Sequence, residues 1–124
     1  MSNRILVIED NEDNRRIIRD LLTSLGYELI EAADGVEGVA MAQSHRPDLI
    51  LMDIQLPEMD GYEATRQIRA VPGLKTVPII AVTSYALSGD EAKARDAGCD
   101  GYVAKPFSPR ELLAKIREFL PDAG

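Results

Sequence analysis

Short apolar segments typical of strands alternate five times with helix-like segments along these 124 residues, and this order restricts the fold more than any other feature. The strand-like runs lie at 5–8, 27–32, 49–52, 78–82 and 102–104. Helices are predicted at 12–25, from 36 onward, and at 61–70, 89–97 and 109–120. Such alternation favours an α/β fold with right-handed crossovers, a parallel sheet and helices on both faces.

The polarity of individual strands indicates their places in the sheet. Glu28 and Glu31 interrupt the second run, as suits a sheet edge, whereas residues 49–52 are apolar throughout, as in a strand buried on both faces. For five strands we expect the doubly wound, flavodoxin-like order 2-1-3-4-5. Strands 1 and 3 are then neighbours at the point where the order reverses, and ligands bind there, outside the carboxyl ends of the strands.

Helix starts and one buried helix face are also predicted. DGVE at 34–37, DGYE at 60–63, SGDE at 88–91 and SPRE at 108–111 each place a capping residue three positions before a glutamate. Pro109 would occupy the first helical position of the last helix. In the first helix, which Gly26 would end, the residues expected on one apolar face are Ile17, Ile18, Leu21, Leu22 and Leu25.

Composition excludes several classes of protein. The formal charge of −7 and the lack of a basic cluster argue against a nucleic-acid surface. No apolar run approaches the roughly 20 residues of a membrane-spanning helix. Cys99 is the single cysteine, so an internal disulfide is impossible and a reducing compartment is expected. These features predict one cytoplasmic domain over 1–124, which binds neither nucleic acid nor membrane.

Polar side chains follow four of the predicted strands, at the point where each strand ends. The first strand is followed by Glu9 and Asp10, the third by Asp53, the fourth by Thr83, and the fifth by Lys105 with Pro106. Since parallel strands end at one edge of a sheet, these side chains are expected to share one crevice.

Three carboxylates in one crevice need a counter-charge. Two unit charges about 4 Å apart interact by roughly 4 kcal/mol at an effective dielectric of about 20. Carboxylates, a carbonyl and retained waters suit Mg²⁺, and an open side of the metal would take phosphate oxygens. Lys105 and Thr83 add a cation and a hydroxyl donor, so the site is predicted to hold a phosphoryl group.

The segments VIEDN (7–11), LILMDIQLPEMDGYEATRQIR (49–69), VPIIAVTSYA (77–86) and GYVAKPF (101–107) closely resemble the response-regulator receiver domain of two-component signalling. The resemblance covers essentially the whole chain. It implies that Asp53 accepts a phosphoryl group from a phosphohistidine. It also implies that Asp10, Asp53 and the backbone carbonyl of Gln55 ligate Mg²⁺, while Glu9 acts largely through a bound water. Many relatives have Asp at the position of Glu9.

The same resemblance implies a switch. Lys105 would bind the phosphoryl oxygens, with a cis peptide bond to Pro106. Thr83 would move toward the phosphoryl group and Tyr102 would change rotamer. The predicted helix at 89–97 has no large aliphatic residue, so we expect it to be weakly held and to form an output face with 102–104 and 109–120. Tyr85, beside the site, is expected to shield the acyl phosphate from water.

The expected partners are a sensor histidine kinase or a histidine phosphotransfer protein, a downstream protein target and, after phosphorylation, a second copy of the chain. The resemblance implies a signalling protein rather than an enzyme, similar to receivers of hybrid kinases and to the DivK-like group of single-domain cell-division regulators. A docking module that is not phosphorylated is a further alternative.

Two unrelated classes fit less well. A haloacid-dehalogenase-type phosphatase also uses a strand-end Asp with Mg²⁺, but it needs a second Asp where Gln55 stands. A flavodoxin needs a Ser/Thr/Gly-rich phosphate loop after the first strand, where this chain has EDNED.

Overall fold

A computed structural model describes residues 3–83 and 90–120, which form five strands and five helices in strict alternation. The strands are β1 (Arg4–Ile8), β2 (Glu28–Ala32), β3 (Leu49–Asp53), β4 (Ile79–Thr83) and β5 (Gly101–Ala104). The helices are α1 (Glu12–Ser24), α2 (Gly35–His45), α3 (Gly61–Arg69), α4 (Asp90–Ala97) and α5 (Pro109–Phe119). All neighbouring strands are parallel and their order is β2-β1-β3-β4-β5, which confirms the predicted topology.

Two apolar cores lie on opposite faces of the sheet. One contains Ala42 of α2 and Ile68 of α3, together with Ala94 of α4. The other contains Leu22 of α1 and Leu112 of α5. Every residue of β3 and of β4 is buried, whereas β2 exposes part of its surface, so the predicted edge position of β2 is also confirmed.

Side-chain caps begin the helices largely where the sequence predicts. Asp34, Asp60 and Ser108 each accept a hydrogen bond from the backbone N–H three residues later. At Ser108 the reciprocal bond to the glutamate side chain is also present, which completes a capping box. The predicted cap Ser88 lies outside the described residues, and the cap of α1, Asn11, was not predicted.

The predicted apolar face of α1 is wrong at one position. Ile17 is 62% exposed, whereas Ile18 and Leu22 are buried against the sheet. Ile17 and Leu22 lie about 140° apart around a helix of about 3.6 residues per turn. Because the sheet contacts the side centred on Ile18 and Leu22, Ile17 is left at the margin of the contact.

Gly61, the first residue of α3, lies where a side chain would meet the backbone of β3. A Cβ atom there would be 2.5 Å from the Asp53 carbonyl oxygen and 2.7 Å from the Ile54 Cα. We therefore expect Gly61→Ala to lower the free energy of unfolding by about 1–3 kcal/mol, as overpacked sites do.

Gly101→Ala is the matched control for this substitution. A Cβ at Gly101 would meet side-chain atoms, Phe119 Cε2 at 3.1 Å and Ile80 Cγ1 at 3.4 Å, and side chains yield more readily than backbone. Urea unfolding of both variants is the measurement. Equal losses would contradict a backbone clash at Gly61.

Within residues 3–83 and 90–120, no helix combines the length and the hydropathy needed to cross a membrane.

Candidate functional site

The carboxyl edge of the sheet brings the predicted polar side chains together. Parallel register pairs Asp53 with Val82 and Thr83 with Ala104, so the ends of β3, β4 and β5 are adjacent. Lys105 follows β5, and its Nζ lies 2.7 Å from Glu9 Oε1 and 3.4 Å from Asp53 Oδ2. Residues far apart in the sequence thus form one charged cluster, as the topology predicted.

Three carboxylates of this cluster are arranged so that they could hold a metal ion. Glu9, Asp10 and Asp53 each offer one carboxylate oxygen, and these oxygens all lie within 4.8 Å of one another. Glu9 and Asp53 are 3% and 4% exposed, whereas Asp10 faces solvent. An all-oxygen set that is open on one side suits a hard cation that keeps some of its water, such as Mg²⁺.

Glu9 has direct contacts that the sequence did not predict. Besides Lys105, its Oε1 accepts from the side-chain amide of Asn14 at 3.3 Å, and its Oε2 accepts from the Asn11 N–H at 3.4 Å. The contact of Asn14 was not predicted from the sequence. The available signal was the position of this amide in the first turn of the helix that follows the strand-end carboxylate. Glu9 is therefore tied to α1 and, through Lys105, to the loop after β5.

A second layer of ion pairs supports the backbone of Glu9. Arg15 donates to the Glu9 carbonyl oxygen at 2.7 Å, and its Nε lies 3.4 Å from Glu31 Oε1. Arg19 binds both oxygens of Glu31 at 2.7 Å, and this pairing lowers the pKa of Glu31. The network joins α1 to β2, so it fixes the position of the loop that carries Glu9 and Asp10.

The two buried carboxyl groups have opposite pKa shifts. Burial, followed by the hydrogen bond with Glu9 and the charge of Glu9, raises the pKa of Asp53 to about 7. Burial also acts to raise the pKa of Glu9, but hydrogen bonds with Asp53 and Lys105 and the ammonium charge outweigh it and lower that pKa to about 2. In the metal-free site Glu9 is therefore the carboxylate that Lys105 neutralises, and Asp53 retains a proton near neutrality.

The pKa values of Asp10 and Lys105 are shifted as well. Burial raises the pKa of Asp10, and the adjacent Glu9 raises it too. Burial acts to lower the pKa of Lys105, yet its hydrogen bond to Glu9 and the charges of both carboxylates raise it overall. The cluster thus carries excess negative charge, which a divalent cation would offset.

Gln55 and Thr83 lie beside the carboxylates. The backbone N–H of Gln55 donates to Asp53 Oδ1 at 2.9 Å, and its side-chain amide donates to Thr83 Oγ1 at 2.5 Å. Thr83 is buried at the end of β4.

Tyr102 is half-buried and packs against the core that contains α2, α3 and Ala94. Tyr85 lies outside the described residues.

A cleft opens next to Lys105. The peptide bond between Lys105 and Pro106 is cis, as the resemblance implies. The cleft has a volume of about 540 Å³, and its lining includes Ile17, Ile18 and Phe107 together with Glu9, Asn14, Lys105 and Pro106. The lining therefore combines apolar side chains with Glu9 and Lys105 of the charged cluster, so a partner that enters the cleft reaches that cluster.

Comparison with known proteins gives consistent matches over the whole chain. The family model described as response regulator receiver domain matches residues 5–117. The polar-differentiation response regulator DivK of Brucella anthropi is 44% identical over 123 residues, which cover 99% of this chain and 100% of that protein. DivK of Brucella ovis is 43% identical over the same coverage.

Two solved structures show the same fold. The receiver domain of the sensor histidine kinase PA1611 from Pseudomonas aeruginosa, with a magnesium ion coordinated in its active site cleft, superposes with a TM-score of 0.90 at 43% identity; the match covers 98% of this chain and 100% of that one. The chemotaxis protein CheY4 of Vibrio cholerae superposes with a TM-score of 0.92 at 30% identity, covering 96% and 99%.

Proposed function

This chain belongs to the response regulator receiver domain family, and from that membership we propose that Asp53 is its phosphoacceptor and that Mg²⁺ binds beside it. The observation that carries the proposal is the cluster of three carboxylates with Lys105 in contact with two of them. Receiver domains are signalling proteins rather than classical enzymes, and they interact with histidine kinases or phosphotransfer proteins. Residues 1–124 would form one such domain, acting in the cytoplasm.

In the proposed reaction a carboxylate oxygen of Asp53 attacks the phosphorus of a phosphohistidine. The new O–P bond forms as the P–N bond breaks, and the imidazole, already protonated on its other ring nitrogen, leaves as a neutral ring with the electron pair of that bond. The product is an acyl phosphate, which water later hydrolyses to regenerate the Asp53 carboxylate and release inorganic phosphate. The chain therefore catalyses its own phosphorylation and dephosphorylation but no separate substrate reaction.

The surrounding residues would orient and stabilise the transferred group. Mg²⁺, when bound, would neutralise charge on the phosphoryl oxygens. Asp10, Asp53 and the Gln55 carbonyl would hold the metal, with Glu9 acting through a bound water. Lys105 would donate to a phosphoryl oxygen, and it already lies 3.4 Å from Asp53 Oδ2.

Thr83 and the output surface would respond to the new charge. The Thr83 hydroxyl would donate to a phosphoryl oxygen, because β4 ends beside β3. Phosphorylation adds a charge of about −1.5 to −2. Tyr102 and the face formed by α4, β5 and α5 would then rearrange and bind a downstream protein or a second copy of the chain. In support, the buried side chains described in α4 are the small Ala94 and Ala97.

The cleft beside Lys105 would admit the donor protein. Ile17, 62% exposed at its wall, and Phe107 would provide apolar contacts for a sensor histidine kinase or a histidine phosphotransfer protein. Glu9 and Lys105, the charged residues that line the cleft, would then lie next to the phosphohistidine.

Intact mass spectrometry after incubation with acetyl phosphate tests the proposed function. With Mg²⁺ we expect one phosphoryl adduct, labile to alkali, and with EDTA we expect almost none, because the metal offsets the charge at the site. The absence of an adduct under both conditions would refute phosphorylation by small donors. The chain would then be a docking module or would require its partner protein for the reaction.

Magnesium affinity is expected to depend on pH through Asp53. The pKa of this group is raised from 3.8 to about 7 in the folded metal-free protein, so below pH 7 the metal must displace a proton. Because its pKa is raised by folding, Asp53 contributes its full stabilisation of the fold below its unfolded pKa. This contribution to the free energy of unfolding is lost as pH rises through about 7. Apparent Mg²⁺ affinity should therefore fall up to tenfold per pH unit below 7, following proton linkage.

Calorimetric titration of Mg²⁺ between about pH 5.5 and 8 measures this dependence. Asp53→Asn should bind Mg²⁺ more weakly but with a flatter profile over this range. If the Mg²⁺ affinity of the wild-type protein is constant across neutral pH, Asp53 does not retain a proton there.

A further inference from the structure

Gln55 contacts both the phosphoacceptor and the buried hydroxyl on the next strand. Its backbone N–H donates to Asp53 Oδ1 at 2.9 Å, while its side-chain Nε2 donates to Thr83 Oγ1 at 2.5 Å. The first contact uses the loop backbone after β3, and the second crosses to the end of β4. One residue therefore joins the two groups that the proposed reaction uses.

The geometry restricts the rotation of the Thr83 side chain. Thr83 is 1% exposed, and register places it one position beyond Val82, which pairs with Asp53. A β-branched side chain moves its hydroxyl chiefly by rotation about χ1. An amide donor anchored in the neighbouring loop favours the χ1 rotamer in which Oγ1 faces that amide, and loss of such a bond in a buried place has a free-energy cost.

We propose that the Gln55 side chain is a positioning residue that holds the Thr83 hydroxyl in its resting orientation and must release it when Asp53 carries a phosphoryl group. The inference rests on the proposed phosphorylation of Asp53. It assigns a role to the side chain of Gln55 that is separate from the metal contact of its backbone carbonyl. Gln55 would thereby oppose the switched state, so removing its amide should favour that state.

The affinity for a phosphoryl analogue measures this opposition. Beryllium fluoride at saturating Mg²⁺ is the probe, and the Mg²⁺ affinity of each variant is measured separately to fix saturation. Gln55→Met keeps a side chain of similar volume but removes the amide donor. We expect it to bind the analogue roughly twofold to tenfold more tightly than wild type, since one net hydrogen bond no longer has to break.

A double-mutant cycle separates this role from simple shielding of the site. Thr83→Val removes the hydroxyl and keeps the branched shape, so Gln55→Met should have no further effect on analogue affinity in that background. The proposal is overturned if Gln55→Met tightens binding equally with and without the Thr83 hydroxyl. It is also overturned if both the wild type and Gln55→Met bind the analogue and the variant does not bind it more tightly.

A second readout does not depend on phosphoryl chemistry. Three-bond NMR couplings of Thr83 in the metal-free protein report its χ1 angle. We expect the population of the resting rotamer to be lower in Gln55→Met than in wild type, and an unchanged rotamer distribution would overturn the proposal. Loss of the resting rotamer in Gln55→Met, with no binding of the analogue by either protein, would have a different meaning. It would support the positioning role of Gln55 and would contradict the proposed phosphorylation of Asp53.

Discussion

Asp53→Asn is expected to abolish the phosphoryl adduct while making the metal-free protein more stable at pH 8. The adduct is lost because the amide lacks the nucleophilic carboxylate. The gain in stability has a separate cause, since burial and the adjacent Glu9 raise the pKa of Asp53 to about 7 and the ionised form is therefore disfavoured in the folded state. Removing that charge should raise the free energy of unfolding on the order of 2 kcal/mol.

The two effects of this substitution are measured independently. Intact mass after acetyl phosphate treatment reports the adduct, and urea unfolding in EDTA at pH 8 reports stability. Asp20→Asn is the matched control, because Asp20 is exposed on α1 and the substitution is chemically the same. The control should keep the adduct and change stability little. A phosphoryl adduct on Asp53→Asn would show that another residue is the acceptor.

Lys105→Met is expected to have effects of opposite sign on metal binding and on phosphorylation. Its ammonium group lies 2.7 Å from Glu9 and 3.4 Å from Asp53, both of which are buried. Without it the buried carboxylates lack their cation, and the metal-free protein should lose about 3 kcal/mol of stability at pH 8. Mg²⁺ should bind more tightly, because the ammonium no longer repels the metal.

Phosphorylation of Lys105→Met should nevertheless be slower by about 10²-fold, the usual effect of removing one donor to a transferred group. Lys75→Met serves as the control, because Lys75 is exposed and precedes the start of β4, at the opposite end of that strand from Thr83. Mg²⁺ titration, urea unfolding in EDTA and the initial rate with acetyl phosphate measure the three effects. Unchanged or weaker Mg²⁺ affinity would mean that Lys105 does not compete with the metal.

The sequence placed the candidate site residues at the ends of strands, because these positions depend on local patterns and one topological rule. Glu9, Asp53, Thr83 and Lys105 each follow a short apolar run that is readable without tertiary information. Parallel strands then bring these ends to one edge of the sheet. The contacts of Lys105 with Glu9 and Asp53 agree with that expectation.

Partner choice within the site was less predictable. The resemblance implied that Lys105 binds the phosphoryl group and that Glu9 acts through water, but it did not predict that Lys105 lies closer to Glu9 than to Asp53. The amide of Asn14 was missed altogether. Such choices depend on sub-ångström differences in distance between segments remote in sequence, and residue spacing contains no measure of them.

Arg69 shows the same limit away from the site. Its guanidinium donates to the backbone carbonyls of Leu74, Val77 and Gly98 and to the Asp100 carboxylate. In the sequence it is an ordinary basic residue in the last turn of α3. Tertiary packing makes it a link between α3, the segment before β4 and the segment before β5.

The sequence by itself determined the order of strands and helices, the doubly wound topology and the edge at which the polar residues meet. Those properties follow from hydrophobic periodicity and strand direction, which act over a few residues at a time. Tertiary structure alone decided that Ile17 is exposed and lines the cleft, that Lys105 donates to Glu9, and that Gln55 donates to Thr83. Each of these depends on how separate elements pack, because side-chain contacts form only where the packed backbone brings donors and acceptors within hydrogen-bond distance.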